Sequence, residues 1–191
     1  MNKIILDDIM GISAYEKVRE RFRQRVIELK KKRRVAVGDK VSLVFENRDT
    51  VIFQIQEMMR AEKITDLDKI REEIEVYNGL IPKPGELSAT LFLEIEDQSR
   101  LRDDLLKFLG VDEAVFIKVG ARKIQARFEE GRSKEDKISA VQYVKFPFTA
   151  DDRAAFAGSA EATLSIEHPN YQARARLETE TRESLLADLQ E

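Results

Sequence analysis

Residues 41–63, VSLVFENRDTVIFQIQEMMRAEK, contain both kinds of secondary structure that we expect in this chain. Apolar residues alternate at the start of this stretch, which predicts a strand at 41–46. Apolar residues then recur at helical spacing, which predicts a helix at 50–63 with a cap at Asp49 or Thr50. The apolar stripe of this helix comprises Val51, Ile52, Ile55, Met58 and Met59.

Two polar side chains fall where the predicted helix should face a core. At about 100° per residue, Glu62 lies near the middle of the apolar stripe and Gln54 lies at its edge. A buried carboxylate needs a partner or must bind a proton to lose its charge. We therefore predict that Glu62 is at least half buried and forms an ion pair with Arg48 or Arg60.

The composition is typical of a folded protein with a densely charged surface. Apolar residues make up 42% and charged residues 36% of the 191 residues, which is long enough for one well-buried core. There is no cysteine, which excludes disulfides, thiolate-bound zinc, cysteine-ligated iron–sulfur clusters and cysteine nucleophiles. Neither a secretory signal nor an apolar run of membrane-spanning length is evident, so we expect a cytoplasmic protein without membrane contact.

Segment 17–34, KVRERFRQRVIELKKKRR, gives the chain a strong charge asymmetry. It holds ten Lys or Arg residues against Glu20 and Glu28, a local charge of +8 in a chain whose net charge is −3. Such a tract can bind nucleic acid or an acidic protein surface. Its apolar residues nevertheless recur at helical spacing, which predicts an amphipathic helix at 13–33 with basic residues on its solvent face. The run Lys30–Arg34 also lacks the aromatic residues of a base-stacking surface, so a solvated or protein-binding face is favoured over nucleic-acid binding.

Strands outnumber helices in the second half of the chain. Further helices are predicted at 66–78, 99–109, 150–157 and 180–190. Further strands are predicted at 87–96, 113–119, 122–129, 138–148, 161–168 and 171–177. Most of these strands follow one another without a crossover helix, which favours the α+β class, with a helix-rich N-terminal part packed on a mainly antiparallel sheet from the C-terminal part. We expect a single domain over 1–191, with a possible internal boundary in the turn-rich link GLIPKPG at 79–85.

Motifs for common reactions are absent from the sequence. There is no GxGxxG, GxxxxGK[ST], HExxH or GxSxG motif, and no Glu-x-x-His pair for a di-iron site. His168 is the only histidine, and it shares strand parity with Leu164 and Ile166, which directs it inward. Such a histidine is typical of a buried structural residue, and an acid–base or metal role is the alternative. We expect no cofactor and no metal site.

A resemblance to a known family rests on five blocks of the sequence. They are FRQRVIELKKKRRVAVG (22–38), LVFENRDTVIFQIQEMMRAEK (43–63), EVYNGLIP (75–82), SAVQYVKF (139–146) and HPNY (168–171). Together they resemble the bacterial family catalogued as domain of unknown function number 3501, and QIQEMMRAE is the most specific part. The resemblance implies one compact domain and genes beside rubrerythrin-like and iron–sulfur proteins, hence a link to peroxide defence or electron transfer. It carries over no catalytic residues. The polar positions inside the blocks are Glu46, Arg48, Gln54, Gln56, Glu57, Arg60, Glu62, Tyr77, Asn78, His168 and Tyr171.

Two functions from different classes are compatible with these observations. The first is a non-catalytic accessory protein that docks on a partner such as a rubrerythrin-like or iron–sulfur protein, through the basic helix and an acidic surface. The second is a small enzyme or ligand-binding domain with a pocket between helix 50–63 and the sheet end that carries His168 and Tyr171.

The second function yields a list of candidate residues and a geometric test. Candidates for catalysis are Glu57, Glu62, His168 and Tyr171, and candidates for ligand binding are Arg48, Gln54, Arg60 and Asn78. We expect Tyr171 or His168 to lie near helix 50–63. Convergence of Glu62, Arg48 and His168 on an open cavity would favour an enzyme, whereas scattered positions would remove that interpretation.

Overall fold

The structure, a computed structural model, describes residues 1–95, 98–129, 133–134, 137–158 and 161–190 of the chain. It contains α-helices and antiparallel strands, so the α+β class predicted from the sequence is confirmed. Two segments of the sequence extend beyond the described residues, namely the end of the predicted strand 87–96 at Glu96 and part of the polar stretch EEGRSKEDK at 129–137. Within the described ranges, no helix has the length and apolar character that crossing a bilayer requires.

The elements of the described residues have the following bounds. The helices are α1 (Ile12–Lys31), α2 (Arg48–Glu62), α3 (Leu67–Asn78), α4 (Leu101–Leu106), α5 (Ala150–Ala157) and α6 (Thr179–Gln190). The strands are β1 (Arg34–Ala36), β2 (Val41–Glu46), β3 (Glu86–Leu93), β4 (Val115–Val119), β5 (Arg122–Gln125), β6 (Arg127–Phe128), β7 (Ser133–Lys134), β8 (Lys137–Ile138), β9 (Val141–Pro147), β10 (Ala162–His168) and β11 (Tyr171–Arg176).

Helix α2 begins earlier than the sequence pattern predicts. The Asn47 side chain accepts a hydrogen bond from the N–H of Thr50 at 3.1 Å, and the Thr50 hydroxyl accepts one from the N–H of Asn47 at 3.0 Å. This reciprocal cap satisfies two N–H groups that a helix start leaves free. The helix therefore starts at Arg48, and the predicted cap at Asp49 or Thr50 is wrong.

The predicted strand at 122–129 is two strands that belong to different sheets. β5 pairs with β4, whereas β6 pairs with β9, and Ala126 lies between them. The chain thus passes from one sheet to the other at Ala126, whose side chain is buried. Alternation of polar and apolar residues continues through the bend, which is why the sequence pattern alone suggested one strand.

Two sheets form the centre of the fold. The larger has the strand order β1-β2-β3-β9-β6 and the smaller has the order β11-β10-β4-β5, with antiparallel pairing throughout both. Strand β2, which precedes the 79–85 link, pairs with β3, which follows it, in the register Val41↔Leu93 to Glu46↔Ser88. The sequence predicted one sheet from the C-terminal part, and two N-terminal strands in fact complete the larger sheet.

The larger sheet is covered on both of its faces. One face packs against the smaller sheet, and this main core contains Leu43, Phe45, Leu87, Leu91, Val115, Ile117, Phe146 and Leu164. A second apolar cluster lies among α2, α3 and the N-terminal segment, and contains Ile4, Val51, Ile55, Met59, Ile70 and Ile74. Helix α2 contacts both α1 and α3. Because every residue of β2 is buried, any polar side chain on that strand must find its partners inside the fold.

Candidate functional site

The buried carboxylate near α2 belongs to Glu46, at the end of β2. Glu46 is only 1% exposed. Its carboxylate accepts hydrogen bonds from the Thr50 hydroxyl at 2.5 Å and the Thr90 hydroxyl at 2.7 Å, and from Gln54 Nε2 at 3.2 Å. Three donors from α2 and β3 therefore satisfy a charge whose burial would otherwise be costly. The carboxylate joins α2 to the larger sheet.

Glu62 does not have the predicted burial or partners. It is exposed at the last position of α2. Arg48 pairs instead with Asp8 at 2.5 Å, and Arg60 pairs with Glu16 at 2.6 Å. Helical periodicity gives the direction of a side chain but not whether another element lies opposite it, and Glu62 is exposed although Met59 of the same turn is buried. The prediction for Glu62 is therefore wrong.

Glu57 is the centre of a network between α2 and α1. Its carboxylate accepts two hydrogen bonds from the Arg19 guanidinium, at 2.8 and 2.9 Å, and one from the Tyr15 hydroxyl at 2.7 Å. The Arg19 hydrogen bonds, aided by Tyr15, hold the pKa of Glu57 below its ordinary value. Burial, together with the nearby Glu57 carboxylate, raises the pKa of Tyr15. This arrangement keeps a charged carboxylate and a neutral phenol, which is a stable structural pairing and not a poised acid–base pair.

Two side-chain amides fix the N-terminal segment to the helices. Asn78 binds both backbone groups of Ile4, accepting from its N–H at 2.8 Å and donating to its carbonyl at 2.9 Å. Gln56 does the same with Met10, at 2.8 and 2.9 Å. These amides replace the pairing that a strand neighbour would provide for the backbone. Asn78, a predicted ligand-binding residue, is thus engaged by the chain itself.

His168 is buried, as predicted, and both of its ring nitrogens form hydrogen bonds with backbone groups. His168 is 4% exposed; Nε2 lies 2.7 Å from the Leu109 carbonyl, and Nδ1 accepts from the Asn170 N–H at 3.2 Å. A carbonyl can only accept and an amide N–H can only donate, so the ring is the neutral tautomer with its proton on Nε2. The imidazole therefore links the turn between β10 and β11 to Leu109, which follows α4.

Tyr171 lies on the same side of the fold as His168, away from α2. Its hydroxyl donates to the Val37 carbonyl at 2.6 Å and accepts from the Lys40 N–H at 3.0 Å. Burial raises the pKa of Tyr171. Its ring centroid is 5.3 Å from that of Phe108, and a Cβ at Gly38 would lie 2.3 Å from the hydroxyl, so only glycine fits that turn. Tyr171 contacts the β1–β2 turn and His168 contacts Leu109 and Phe108, so the prediction that one of them lies near helix 50–63 is wrong.

Arg33 was predicted to lie on the solvent face of the first helix, and it is buried. It was counted in the basic tract, yet it is 1% exposed and forms an ion pair with the buried Asp188 of α6. Its guanidinium also donates to the Phe45 carbonyl at 2.8 Å and the Glu46 carbonyl at 3.1 Å. No local pattern distinguishes Arg33 from its neighbours in the run.

The burial of Glu46, in contrast, could have been predicted from the sequence. Apolar residues at both odd and even positions of β2 indicate a strand covered on both faces.

Most of the basic tract at 17–34 is neutralised within the fold. Seven of its ten basic residues form ion pairs: Arg19, Arg23, Arg25, Lys31, Lys32, Arg33 and Arg34. Lys17, Arg21 and Lys30 have no ion pair among the described residues. The local charge of +8 in the sequence therefore overstates the field that α1 presents to a partner.

A cavity near the end of α2 is apolar. It has a volume of about 230 Å³ and is lined by Leu6, Met10, Met59, Ile64, Thr65 and Ile70, among others. None of its lining residues is titratable. Across the described ranges, no three histidine or carboxylate side chains meet as the ligands of a metal ion would. Glu62, Arg48 and His168 have separate surroundings and do not converge on a cavity.

The fold and these networks define an α+β protein of two packed antiparallel sheets, with helices on the outer face of the larger one. The chain belongs to the family described as protein of unknown function (DUF3501), whose model matches residues 3–189. It is similar to a crystal structure described as a novel protein of unknown function from Burkholderia pseudomallei K96243. The two are 32% identical with a TM-score of 0.92, over 98% of this chain and 100% of that chain. No match was found among curated proteins.

Proposed function

We propose that this chain is a non-catalytic accessory protein that acts by binding another protein. The observation that supports this most is the engagement of the inward polar side chains by the fold. Glu46 binds donors of α2 and β3, Glu57 binds α1, Asn78 binds the N-terminal backbone and His168 binds Leu109. A catalytic site would instead bring such groups together at an accessible cavity. These four lie in different places, each stabilising one junction between elements.

The partner we propose to test first is a rubrerythrin-like or iron–sulfur protein. The family resemblance supplies this candidate through neighbouring genes. Because the chain has no cysteine, it holds no thiolate-ligated cluster, and any redox role would be exercised through the partner. An acidic surface on such a partner would complement the basic residues that this chain leaves unpaired.

Affinity purification from the native cell tests this proposal. A tagged chain is cross-linked in the cell, purified, and analysed both for proteins and for bound metals and small molecules. We expect a protein partner in near-stoichiometric amount, lost when cross-linking is omitted at high salt. A tightly bound small molecule that the purified chain converts to a product would contradict the proposal and favour the small-enzyme alternative.

A further inference from the structure

The solvent-facing side of the smaller sheet carries basic side chains on neighbouring strands. The antiparallel register places Arg176, Thr163, Lys118 and Lys123 in one row across β11, β10, β4 and β5. The adjacent row contains Arg174 and Ser165, and residues two apart on a strand point to the same side. We call this surface the basic sheet face, defined by Lys118, Lys123, Thr163, Ser165, Arg174 and Arg176.

The two arginines of the basic sheet face are available for an outside partner. Lys118 and Lys123 both form ion pairs with the carboxylate of Glu167, and the distance from the Lys123 ammonium is 2.6 Å. Arg174 and Arg176 are exposed on the edge strand β11, and neither has an ion pair within the described part of the chain. This differs from the basic tract at 17–34, most of whose charges are already paired.

The basic sheet face is concave as well as charged. A cavity of about 500 Å³ lies over it, and its lining includes Lys118, Thr163, Ser165, Arg174, Arg176 and the single carboxylate of Glu161. Two hydroxyls lie between the cationic side chains and donate to Glu161 at 3.5 Å and to Glu167 at 3.4 Å, so a ligand would be bound by the cationic side chains at the rim of the cavity. Such a surface suits an anion with several charged groups.

The chemistry of this surface favours carboxylates over phosphates. Phosphate sites in proteins use free backbone N–H groups at helix starts or glycine loops, whereas the glycine at this cavity, Gly120, donates its N–H to the Glu161 carbonyl at 3.3 Å. Phe116, the aromatic residue of the second row, is 9% exposed and is covered by the Lys123 ammonium at 3.7 Å, so it offers no face for base stacking. Arginine side chains bind carboxylates and phosphates alike with two parallel hydrogen bonds, so the preference for carboxylates rests on the engaged glycine N–H and the covered aromatic ring.

We propose that the basic sheet face docks an extended, carboxylate-rich segment of a protein partner. Arg174 and Arg176 are two residues apart on a strand, a spacing of about 7 Å. Alternate acidic side chains of an extended segment have the same spacing, so two of them can pair with the two arginines. This inference rests on the proposed accessory function and specifies the surface that the function uses.

A binding measurement with defined probes and a matched control variant tests this surface. The probes are a labelled peptide of alternating glutamate and serine and an oligothymidylate of equal charge, followed by fluorescence anisotropy at about 0.05 M and about 0.3 M salt. The test variant is Arg174→Gln with Arg176→Gln. The control is Lys17→Gln with Arg21→Gln, which removes the same charge from two exposed, unpaired positions of α1.

We expect the acidic peptide to bind the wild-type chain and the control alike, and to bind the sheet variant about tenfold more weakly. Three outcomes would overturn the proposal. Peptide binding could be weakened equally in both variants, it could be lost only in the Lys17→Gln/Arg21→Gln control, or the peptide could fail to bind at all. Stronger binding of the oligothymidylate than of the peptide would also overturn it, in favour of nucleic acid. Native capture of a partner by wild-type and sheet variant equally would contradict this surface but leave the accessory function standing, whereas no capture by wild type would contradict the function itself.

Discussion

Arg33 and Asp188 form a buried ion pair between the residue after the α1 C-cap and helix α6, 155 positions apart in the chain. The same guanidinium donates to Ser184 Oγ at 2.8 Å and to the carbonyls of Phe45 and Glu46. One side chain therefore connects α1, β2 and α6, and its donors are matched by acceptors, as a buried charge requires.

Removing one member of this pair should be strongly destabilising. We expect Asp188→Ala to lower the free energy of unfolding by about 3–5 kcal/mol, because it leaves the Arg33 charge buried without its carboxylate. Urea denaturation followed by circular dichroism measures this. Lys31→Ala, which removes an exposed ion pair with Glu28, serves as the control and should cost under about 1 kcal/mol. Similar losses for both variants would contradict the buried pair.

Glu46 and Glu62 should respond differently to the same substitution. Glu46→Ala leaves the buried Thr90 hydroxyl and the Gln54 amide without this acceptor and Thr50 with the Asn47 carbonyl alone, so we expect a loss of about 2–4 kcal/mol in the free energy of unfolding. Glu62→Ala removes an exposed carboxylate and should change it by less than about 0.5 kcal/mol. Thermal melts of the two variants give the comparison. A Glu62 variant that melts well below the Glu46 variant would reverse our assignment of the buried carboxylate.

The Glu57 network should make part of the stability depend on pH. The hydrogen bonds from Arg19 and Tyr15 lower the pKa of Glu57 in the folded chain, so the unfolded chain binds its proton more readily. The stability from this carboxylate is therefore complete above its ordinary pKa of 4.5 and is lost as the pH falls through the lower, folded value. Glu57→Gln should cost about 1–3 kcal/mol at pH 7 and progressively less below pH 4.5. A difference between wild type and variant that stays constant with pH would contradict this network.

The single histidine allows a direct test of its hydrogen bonds. Because Nδ1 accepts from Asn170 and Nε2 donates to Leu109, the nitrogen chemical shifts of His168 at neutral pH should show the proton on Nε2 alone. Heteronuclear NMR of the imidazole nitrogens measures this without overlap, since there is no second histidine. A proton on Nδ1 would show that the turn is held in another way.

Local sequence predicted most helices and strands of this fold but not their partners. The alternation in β2 and the start of α3, where the Asp66 side chain caps the helix, depend on neighbours in the chain, which is why the bounds predicted at 41–46 and 66–78 are close to those observed. The passage between sheets at Ala126 and the completion of the larger sheet by β1 and β2 depend on distant strands. The periodicity of one segment carries no information on which distant strand it pairs with.

The candidate polar residues show the same limit. His168 was correctly predicted to be buried because strand parity is a local property. Glu62 was predicted to be buried because it lies on the apolar side of the helix. Burial also depends on which other elements pack against that turn, and the Glu62 side chain is exposed. The charge of 17–34 was counted correctly, yet its ion pairs reach Asp49, Glu57, Glu94, Glu180 and Asp188 on other elements. Sequence proximity could not identify those partners.

Partner capture by two variants tests most directly whether buried polar groups serve the fold while the surface serves binding. Tagged Glu46→Gln and Arg174→Gln/Arg176→Gln chains are expressed in the native cell, at a temperature where circular dichroism shows both folded, and the yield of the cross-linked wild-type partner is measured. We predict that the Glu46 variant captures the partner at the wild-type yield and that the double arginine variant captures about tenfold less. Loss of capture in the Glu46 variant with full capture by the arginine variant would contradict this division of roles.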